Sequence, residues 1–353
     1  MKVIAMDWAY KKNIYPVEVD VSKKKIRHLS EVKFKDMDKI SADIVCVEPG
    51  IRYADLLRAN FRKVLFIDNK FVRFIARKKY NIKGRQKIDD KLSAKILGLI
   101  SLYVLSNGLL KDGKAKISFN GNEFTCWLVD RFELEEREKI LTFIREYKRL
   151  EKNRKRLYNS YIKGTKASIE KFGSVERFGR LNFFYSSVMD EFKKEEESLW
   201  RYIVKLIDLD PKYRPIRNRL LEIPGCGERS ANILAVVINW DCGLSEIYKF
   251  CGLHEKPKEC NHLAKEVVFD IVIKEAFEKY YEKQTGISIE KEKKKYKKKF
   301  WHEYRKDGCK KSISDCELGC KRCPLPARVG VVIRRRKARW FIREAKRKLA
   351  DIL

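Results

Sequence analysis

The stretch KVIAMDWA, residues 2–9, is a short apolar run that ends in an acid, Asp7. A second run, DIVCVEPG at 43–50, again places an acid, Glu48, after apolar residues and before a Pro-Gly turn. Short apolar runs bounded by turn residues are typical of strands buried on both faces of a sheet. Strand and helix patterns alternate around them to about residue 112, which predicts an α/β layer with some parallel pairing.

Acids at three places, Asp7, Glu48 and the pair Asp89-Asp90, are candidate catalytic and metal-binding residues. The first two end strands, and Asp89-Asp90 opens a helix after the basic loop IKGRQKIDD. Carboxylates side by side at a sheet edge can hold two divalent cations, Mg²⁺ or Mn²⁺, which activate a water and stabilise the leaving oxygen in phosphodiester cleavage. A single acid after a strand is more often a turn residue, so the hypothesis depends on all three converging in space.

Residues 113–130 predict a β-hairpin insertion with its turn at Asn120-Gly121. From about 131 to 215 the pattern becomes long and helical, with apolar positions on one face. This length favours a helical arm, either a hairpin or a coiled coil, whose plainest role is dimerisation or domain spacing. We therefore expect a homo-oligomer that assembles through the arm.

The segment LLEIPGCGERSANILAVVI, residues 220–238, opens a third region that extends to about 285. Its Gly225 and Gly227 predict a tight turn that leads into a helix, similar to a helix-hairpin-helix turn. Such turns let backbone N–H groups and a helix N-terminus approach a phosphate closely. We expect Gly225, Gly227 and the following Arg229 to contact nucleic acid.

The net charge is the strongest compositional signal. The chain of 353 residues has 81 Lys and Arg against 49 Asp and Glu, a formal net charge of +32. This excess indicates a polyanionic partner such as nucleic acid, although a basic protein without such a partner is the alternative. The basic residues of the last predicted helix are further candidates for phosphate contacts: Arg334, Arg335, Arg336, Lys337 and Arg339.

Membrane and secretory classes are disfavoured. The N-terminus reaches Asp7 before an apolar run can form, which argues against a secretory signal, and the apolar segment 92–110 is interrupted by Lys95 and Asn107. We expect no membrane partner and a cytoplasmic, nucleoid-associated protein.

Four cysteines within fifteen positions form a candidate metal site in the basic tail, 286–353: Cys309, Cys316, Cys320 and Cys323. Close reduced thiols suit a closed four-sulfur site, for which Zn²⁺ is the first choice and a [4Fe–4S] cluster the alternative. The alternative interpretation is that the four cysteines are free thiols that bind no metal. Together with the turn at Gly225, an iron–sulfur cluster would favour a helix-hairpin-helix repair enzyme.

Five segments in order resemble the DEDD transposases of the insertion sequence 110 family, relatives of the Piv invertases. They are AMDWA, VCVEPGIRYADLL, VLFIDNKFVRFIARKKYNIKGRQKIDDKLSA, EIPGCGERSANILAVV and IYKFCGLHEKP, which span residues 1 to roughly 265. The resemblance implies a RuvC-like, RNase H-type α/β domain over 1–112, a helical arm, and a mostly helical C-terminal transposase domain over 216–285. It also implies a structured guide RNA bound by the first domain and the arm.

The resemblance assigns the family's first three acids to Asp7, Glu48 and Asp90, while its fourth acid falls on Ser93. The family's nucleophilic serine falls on Cys260, and the loop that follows it is shortened. A thiolate is a soft nucleophile for the hard phosphorus centre, so Cys260 is also interpreted as a buried apolar residue or a metal ligand.

These observations predict a transposase or site-specific recombinase that cleaves and transfers DNA strands with divalent metal. Ser93 and Cys260 favour the alternative, a catalytically degenerate nucleic-acid-binding protein derived from such an enzyme. The helix-hairpin-helix repair enzyme is the third hypothesis.

Overall fold

A computed structural model describes residues 1–7, 13–49, 53–82, 88–172, 178–253, 260–306 and 325–352. The chain forms two compact units, Met1–Lys139 and Ile140–Leu353, here called unit 1 and unit 2. Within the described ranges, no helix is both long and apolar enough to cross a membrane.

Unit 1 is built on a seven-stranded mixed sheet with the order β3-β2-β1-β4-β5-β7-β6. The strands are β1 Val3–Ala5, β2 Val17–Asp20, β3 Lys25–His28, β4 Ser41–Val47, β5 Asn60–Ile67, β6 Lys114–Phe119 and β7 Asn122–Asp130. Strands β1, β4 and β5 are parallel, and the others pair antiparallel. The α/β prediction for this region is therefore confirmed at the level of fold class.

The helices of unit 1 are α1 Tyr53–Leu56, α2 Asn69–Tyr80 and α3 Asp90–Ser106, with a 3₁₀ helix at Phe34–Lys39. One face of the sheet shares an apolar core with α2 and α3. Gly98 allows α3 to lie close to the sheet, because a Cβ there would be 3.1 Å from a methyl group of Val17. Asp89 and Asp90, at the start of α3, are therefore held at a fixed position over the sheet.

The hairpin prediction is confirmed, but the hairpin is not an insertion. Asn120 and Gly121 both have positive φ, 47° and 72°, as a two-residue hairpin turn requires. Strand β7 pairs along β5, so the hairpin completes one edge of the main sheet. Phe124 of β7 stacks on Phe71 of α2 with centroids 4.6 Å apart, which anchors this edge in the core.

The predicted arm corresponds to two long helices, α4 Arg131–Phe172 and α5 Phe178–Leu209. Ring contacts join Phe143 to Tyr202, Tyr147 to Trp200 and Tyr161 to Tyr185. The residue numbers of the partners on α5 decrease as those on α4 increase, so the two helices are antiparallel and form a helical hairpin.

The rest of unit 2 is helical: α6 Tyr213–Leu221, α7 Glu228–Val237, α8 Leu244–Phe250, α9 His262–Val272, α10 Glu275–Thr285, α11 Ile289–Lys306 and α12 Leu325–Lys348. The prediction of a separate basic tail from 286 needs correction, because α12 is part of the core of unit 2. Phe341 and Ile342 of α12 are fully buried, and Phe341 lies 5.9 Å from the ring of Phe277.

Candidate functional site

Two of the predicted acids, Asp7 and Glu48, lie just beyond the carboxyl ends of the paired parallel strands β1 and β4. In the β1–β4 register, Ala5 pairs with Cys46, and the Met6 N–H donates to the Cys46 carbonyl at 3.0 Å. Continued by two residues, this register sets Asp7 beside Glu48. Both side chains are half-buried, and neighbouring strands in a sheet are about 4.8 Å apart.

Both acids continue the rows of side chains that face α3. Ala5 and Cys46 belong to the core that packs against α2 and α3, and side chains alternate along a strand. Asp7 and Glu48 therefore extend from the strand ends toward the side of the sheet that α3 covers.

The third acid, Asp90, lies at the same end of the sheet, near Tyr15. The antiparallel β1–β2 register pairs Ala5 with Val17, and its continuation brings Tyr15 level with Asp7. Desolvation, then the carboxylate of Glu31, then the charges of Asp89 and Asp90 raise the pKa of Tyr15. Asp89 and Asp90 are thus close enough to Tyr15 to act on its hydroxyl electrostatically.

A cavity of about 420 Å³ opens beside this acidic edge. Asp89 and Glu31 line it together with Lys91 and Lys95, and the Lys91 ammonium lies 5.0 Å from the centroid of the Tyr15 ring. Its walls are of mixed charge, and the three predicted catalytic acids are not among its lining residues.

Ser93, where the family has a fourth acid, is 3% exposed on the face of α3 that packs on the sheet. In the described part of the chain, which includes Asp7, Glu48 and Asp90, no three His, Cys, Asp or Glu side chains are grouped closely enough to hold a metal ion, so the expected convergence of the three acids is not found. The donor set still fits Mg²⁺, which is commonly bound by one or two carboxylates with waters and substrate phosphates completing its shell. Asp7 and Glu48 are the pair that would hold it.

The Gly225 turn adopts the predicted conformation, but its amides are not directed at a ligand. The Cys226 N–H donates to the Ile223 carbonyl at 3.0 Å, and the Gly227 N–H donates to the Gly225 carbonyl at 3.2 Å. The Lys274 ammonium donates to the Gly225 carbonyl at 2.9 Å. The Gly227 N–H is therefore used within the turn, and contact of Gly225 and Gly227 with nucleic acid stays a prediction.

Arg229, in the first turn of α7, remains exposed and is held by aromatic rings. Its Cζ lies 5.2 Å from the ring centroid of Tyr147 and 5.6 Å from that of Trp200. Cation–π contacts of this kind restrict an arginine without consuming its N–H donors. Arg229 is thus well placed to meet an anion at the surface of unit 2.

The basic residues of α12 are mostly used inside unit 2. Lys337 is 3% exposed and pairs with Glu278, Arg336 pairs with Glu292, and Arg339 donates twice to the Leu253 carbonyl, at 2.9 and 2.6 Å. Arg334 and Arg335 are half-buried. Lys337 and Arg339 are therefore used within unit 2, because buried charges need internal partners, whereas phosphate contacts of Arg334, Arg335 and the exposed Arg336 stay a prediction.

Cys260 is half-buried and lies against the loop after α8. A Cβ on Gly252 would be 3.0 Å from the Cys260 Sγ, so the glycine makes room for the thiol. The neighbouring Cys251 is fully buried, and this burial raises its pKa to about 12. The tail cysteines, Cys309, Cys316, Cys320 and Cys323, lie outside the described residues.

Several contact residues were not anticipated from the sequence: Tyr15, Lys274, Tyr147 and Trp200. Tyr15 had one usable signal, because it precedes Pro16 at the start of a strand antiparallel to β1. Lys274 is 49 positions from the carbonyl it binds, and no local pattern marks such a pair.

The protein-family models and the curated proteins contain no match to this chain.

Proposed function

We propose that the chain is a nucleic-acid-processing protein of the DEDD transposase type, which cleaves and transfers DNA strands with Mg²⁺ or Mn²⁺. The observation that supports this proposal is the parallel β1–β4 pairing, whose register, extended two residues beyond Ala5, aligns Asp7 with Glu48. The sheet order β3-β2-β1-β4-β5 is compatible with the RNase H-type domain that the resemblance implies. The net charge of +32 supports a polyanionic substrate.

In this proposal Asp7 and Glu48 hold the cation, and Asp90 adds negative charge at the same end of the sheet. A bound divalent cation supplies an activated water and stabilises charge on the leaving oxygen of a phosphodiester. Arg229 of unit 2 binds the phosphate backbone. A structured RNA and self-association through α4 and α5 are further parts of the proposal. Substitution of Asp7, described in the Discussion, is its direct test.

Binding should be steeply dependent on salt, because each phosphate neutralised by a lysine or arginine releases counterions. We expect the affinity for DNA or structured RNA to fall at least about 100-fold between roughly 50 and 200 mM salt. Fluorescence anisotropy with labelled oligonucleotides measures this. A change of less than about threefold would exclude an interface dominated by phosphate contacts.

A second candidate function, nucleic-acid binding without catalysis, is favoured by the buried, uncharged Ser93. The variant Ser93→Asp discriminates between the two. A carboxylate at this 3% exposed position is costly unless a cation neutralises it. We therefore expect the variant to melt at a lower temperature than the parent in chelator, to recover in Mg²⁺, and to cleave several-fold faster if metal occupancy limits the parent.

Thermal melts with and without Mg²⁺, together with cleavage rates over a Mg²⁺ titration, provide the two readouts. Ser101→Asp is the matched control, because Ser101 is also buried on α3 but lies two to three turns further from the acidic edge. Equal recovery of both variants in Mg²⁺ would show that position 93 has no special relation to a cation.

The tail cysteines should bind one Zn²⁺, which would be lost in Cys320→Ser because structural zinc requires four ligands. Elemental analysis of purified protein measures the zinc content. Cys126→Ala is the control, since burial raises the pKa of Cys126 to about 12 and keeps it a neutral thiol. Iron in the purified protein together with absorbance near 400 nm would indicate a [4Fe–4S] cluster instead of zinc. Equal metal content in the parent and in Cys320→Ser would show that Cys320 is not a ligand.

A further inference from the structure

Three aromatic side chains form a ridge at the hairpin edge of unit 1, here called the aromatic ridge: Phe74 of α2, Tyr103 of α3 and Phe119 of β6. The ring centroid of Phe119 lies 6.3 Å from that of Phe74 and 5.9 Å from that of Tyr103. Tyr103 is 40% exposed and Phe119 is 38% exposed. Two neighbouring aromatic rings therefore present much of their surface to solvent.

The ridge extends beyond the core while resting on it. In β6 the row of side chains that faces α2 and α3 contains Ala115 and Ile117, which are buried, and ends in Phe119, which is not. Phe74 packs on Phe124 with centroids 5.2 Å apart. This support holds the ridge in place before any partner binds, which lowers the entropic cost of binding.

The helix beside the ridge is basic along its whole length. Helix α2, residues 69–80, contains five lysines and arginines and no acid. All five are exposed: Lys70, Arg73, Arg77, Lys78 and Lys79. Lys70 and Lys78 lie one turn before and one turn after Phe74, so they flank its ring on the helix surface.

We infer that the aromatic ridge and α2 form a binding site for a single-stranded polynucleotide. Exposed rings on a rigid base accept the faces of unpaired bases, and flanking cations follow the phosphates. Paired bases in a duplex are already stacked and cannot offer these faces, so the site distinguishes single strands from duplexes. The inference rests on the proposed function, since it names the form of nucleic acid that unit 1 recognises.

The test compares single-stranded and duplex oligonucleotides of equal length, as both DNA and RNA, in fluorescence anisotropy at raised salt. High salt weakens phosphate contacts across the basic chain and leaves stacking more visible. The variants are Tyr103→Ala and Phe119→Leu, the second keeping an apolar contact with the core. Phe132→Ala is the matched control, because Phe132 is an aromatic residue of unit 1 that is 71% exposed and forms no part of the ridge.

We expect Tyr103→Ala and Phe119→Leu each to weaken single-strand binding roughly tenfold, with duplex binding and thermal stability nearly unchanged. Photocrosslinking with 5-iodouracil oligonucleotides should join the strand to Tyr103 or Phe119. A stronger loss with RNA than with DNA would identify RNA as the natural strand, and the reverse would identify DNA.

The inference fails if both ridge variants bind single strands as the parent does, or if Phe132→Ala weakens binding equally. It also fails if single-strand and duplex binding fall together, because that pattern indicates a general loss of charge or fold. A parent protein that binds no nucleic acid of any form overturns the proposed function itself, which separates the two outcomes.

Discussion

Replacing Asp7 by alanine is expected to abolish Mg²⁺- or Mn²⁺-dependent strand cleavage while nucleic-acid binding stays nearly unchanged. In the proposed site Asp7 is one of the two carboxylates that hold the cation, so its loss would leave Glu48 alone to hold it. A metal ion contributes several kcal/mol to charge stabilisation in the transition state, which corresponds to a rate loss of about 10³-fold or more. The basic residues proposed to bind phosphate are untouched by the change.

The measurement is cleavage of end-labelled DNA by parent and variant over a titration of Mg²⁺ and Mn²⁺, with anisotropy as the binding readout. Glu48→Gln should reproduce the loss. Asp130→Asn is the control. Asp130 also ends a strand, but it pairs with Lys63, toward the amino end of the parallel strands. Cleavage that survives in Asp7→Ala, or that disappears equally in Asp130→Asn, would contradict a cation site at Asp7 and Glu48.

Replacing Gly225 by alanine is expected to destabilise unit 2 by about 2–5 kcal/mol, from backbone strain and overpacking together. Gly225 has φ of 87°, a conformation that residues with a Cβ rarely adopt. An added Cβ would also be 2.8 Å from the Phe277 Cβ and 3.3 Å from the Phe277 backbone nitrogen. The turn and the start of α10 cannot both keep their positions.

Urea unfolding followed by tryptophan fluorescence measures the change in the free energy of unfolding. Gly286→Ala separates the two causes, because Gly286 has a similar φ of 66° but nothing within 4 Å of an added Cβ. This control should lose only about 1 kcal/mol, the cost of the backbone conformation. If the two variants lost equal stability, close packing against Phe277 would have no part in the requirement for glycine.

Local patterns predicted the elements of unit 1 well, because each depends on adjacent residues. The apolar runs before Asp7 and Glu48 are strand β1 and the end of β4, and the Asn120-Gly121 turn is the centre of a hairpin. Even the register of the two acids follows from parallel pairing once the strands are known to be neighbours. Local patterns do not show that β1 and β4 are neighbours or that the hairpin extends the sheet, because both depend on pairing between strands that are distant in sequence.

The basic residues of unit 2 show why a charge pattern alone predicts a binding site poorly. A run of arginines and lysines looks the same whether it meets phosphate or protein. Lys337 pairs with Glu278, which is 59 positions away, and Arg336 pairs with Glu292 at a distance of 44 positions. Long-range partners of this kind decide which charges remain available, and neither composition nor periodicity records them.

The location of α12 inside unit 2 bears on how the protein is made. A nascent chain emerges from the ribosome with its N-terminus first, and domains generally fold in that order. The described strands of unit 1 have all been synthesised once residue 130 is made, whereas unit 2 lacks Phe341 and Ile342 until most of α12 is complete. Nascent chains interrupted after α11 would therefore carry a folded unit 1 beside an open, apolar cleft in unit 2. Such chains are the ones that chaperones and proteases should recognise.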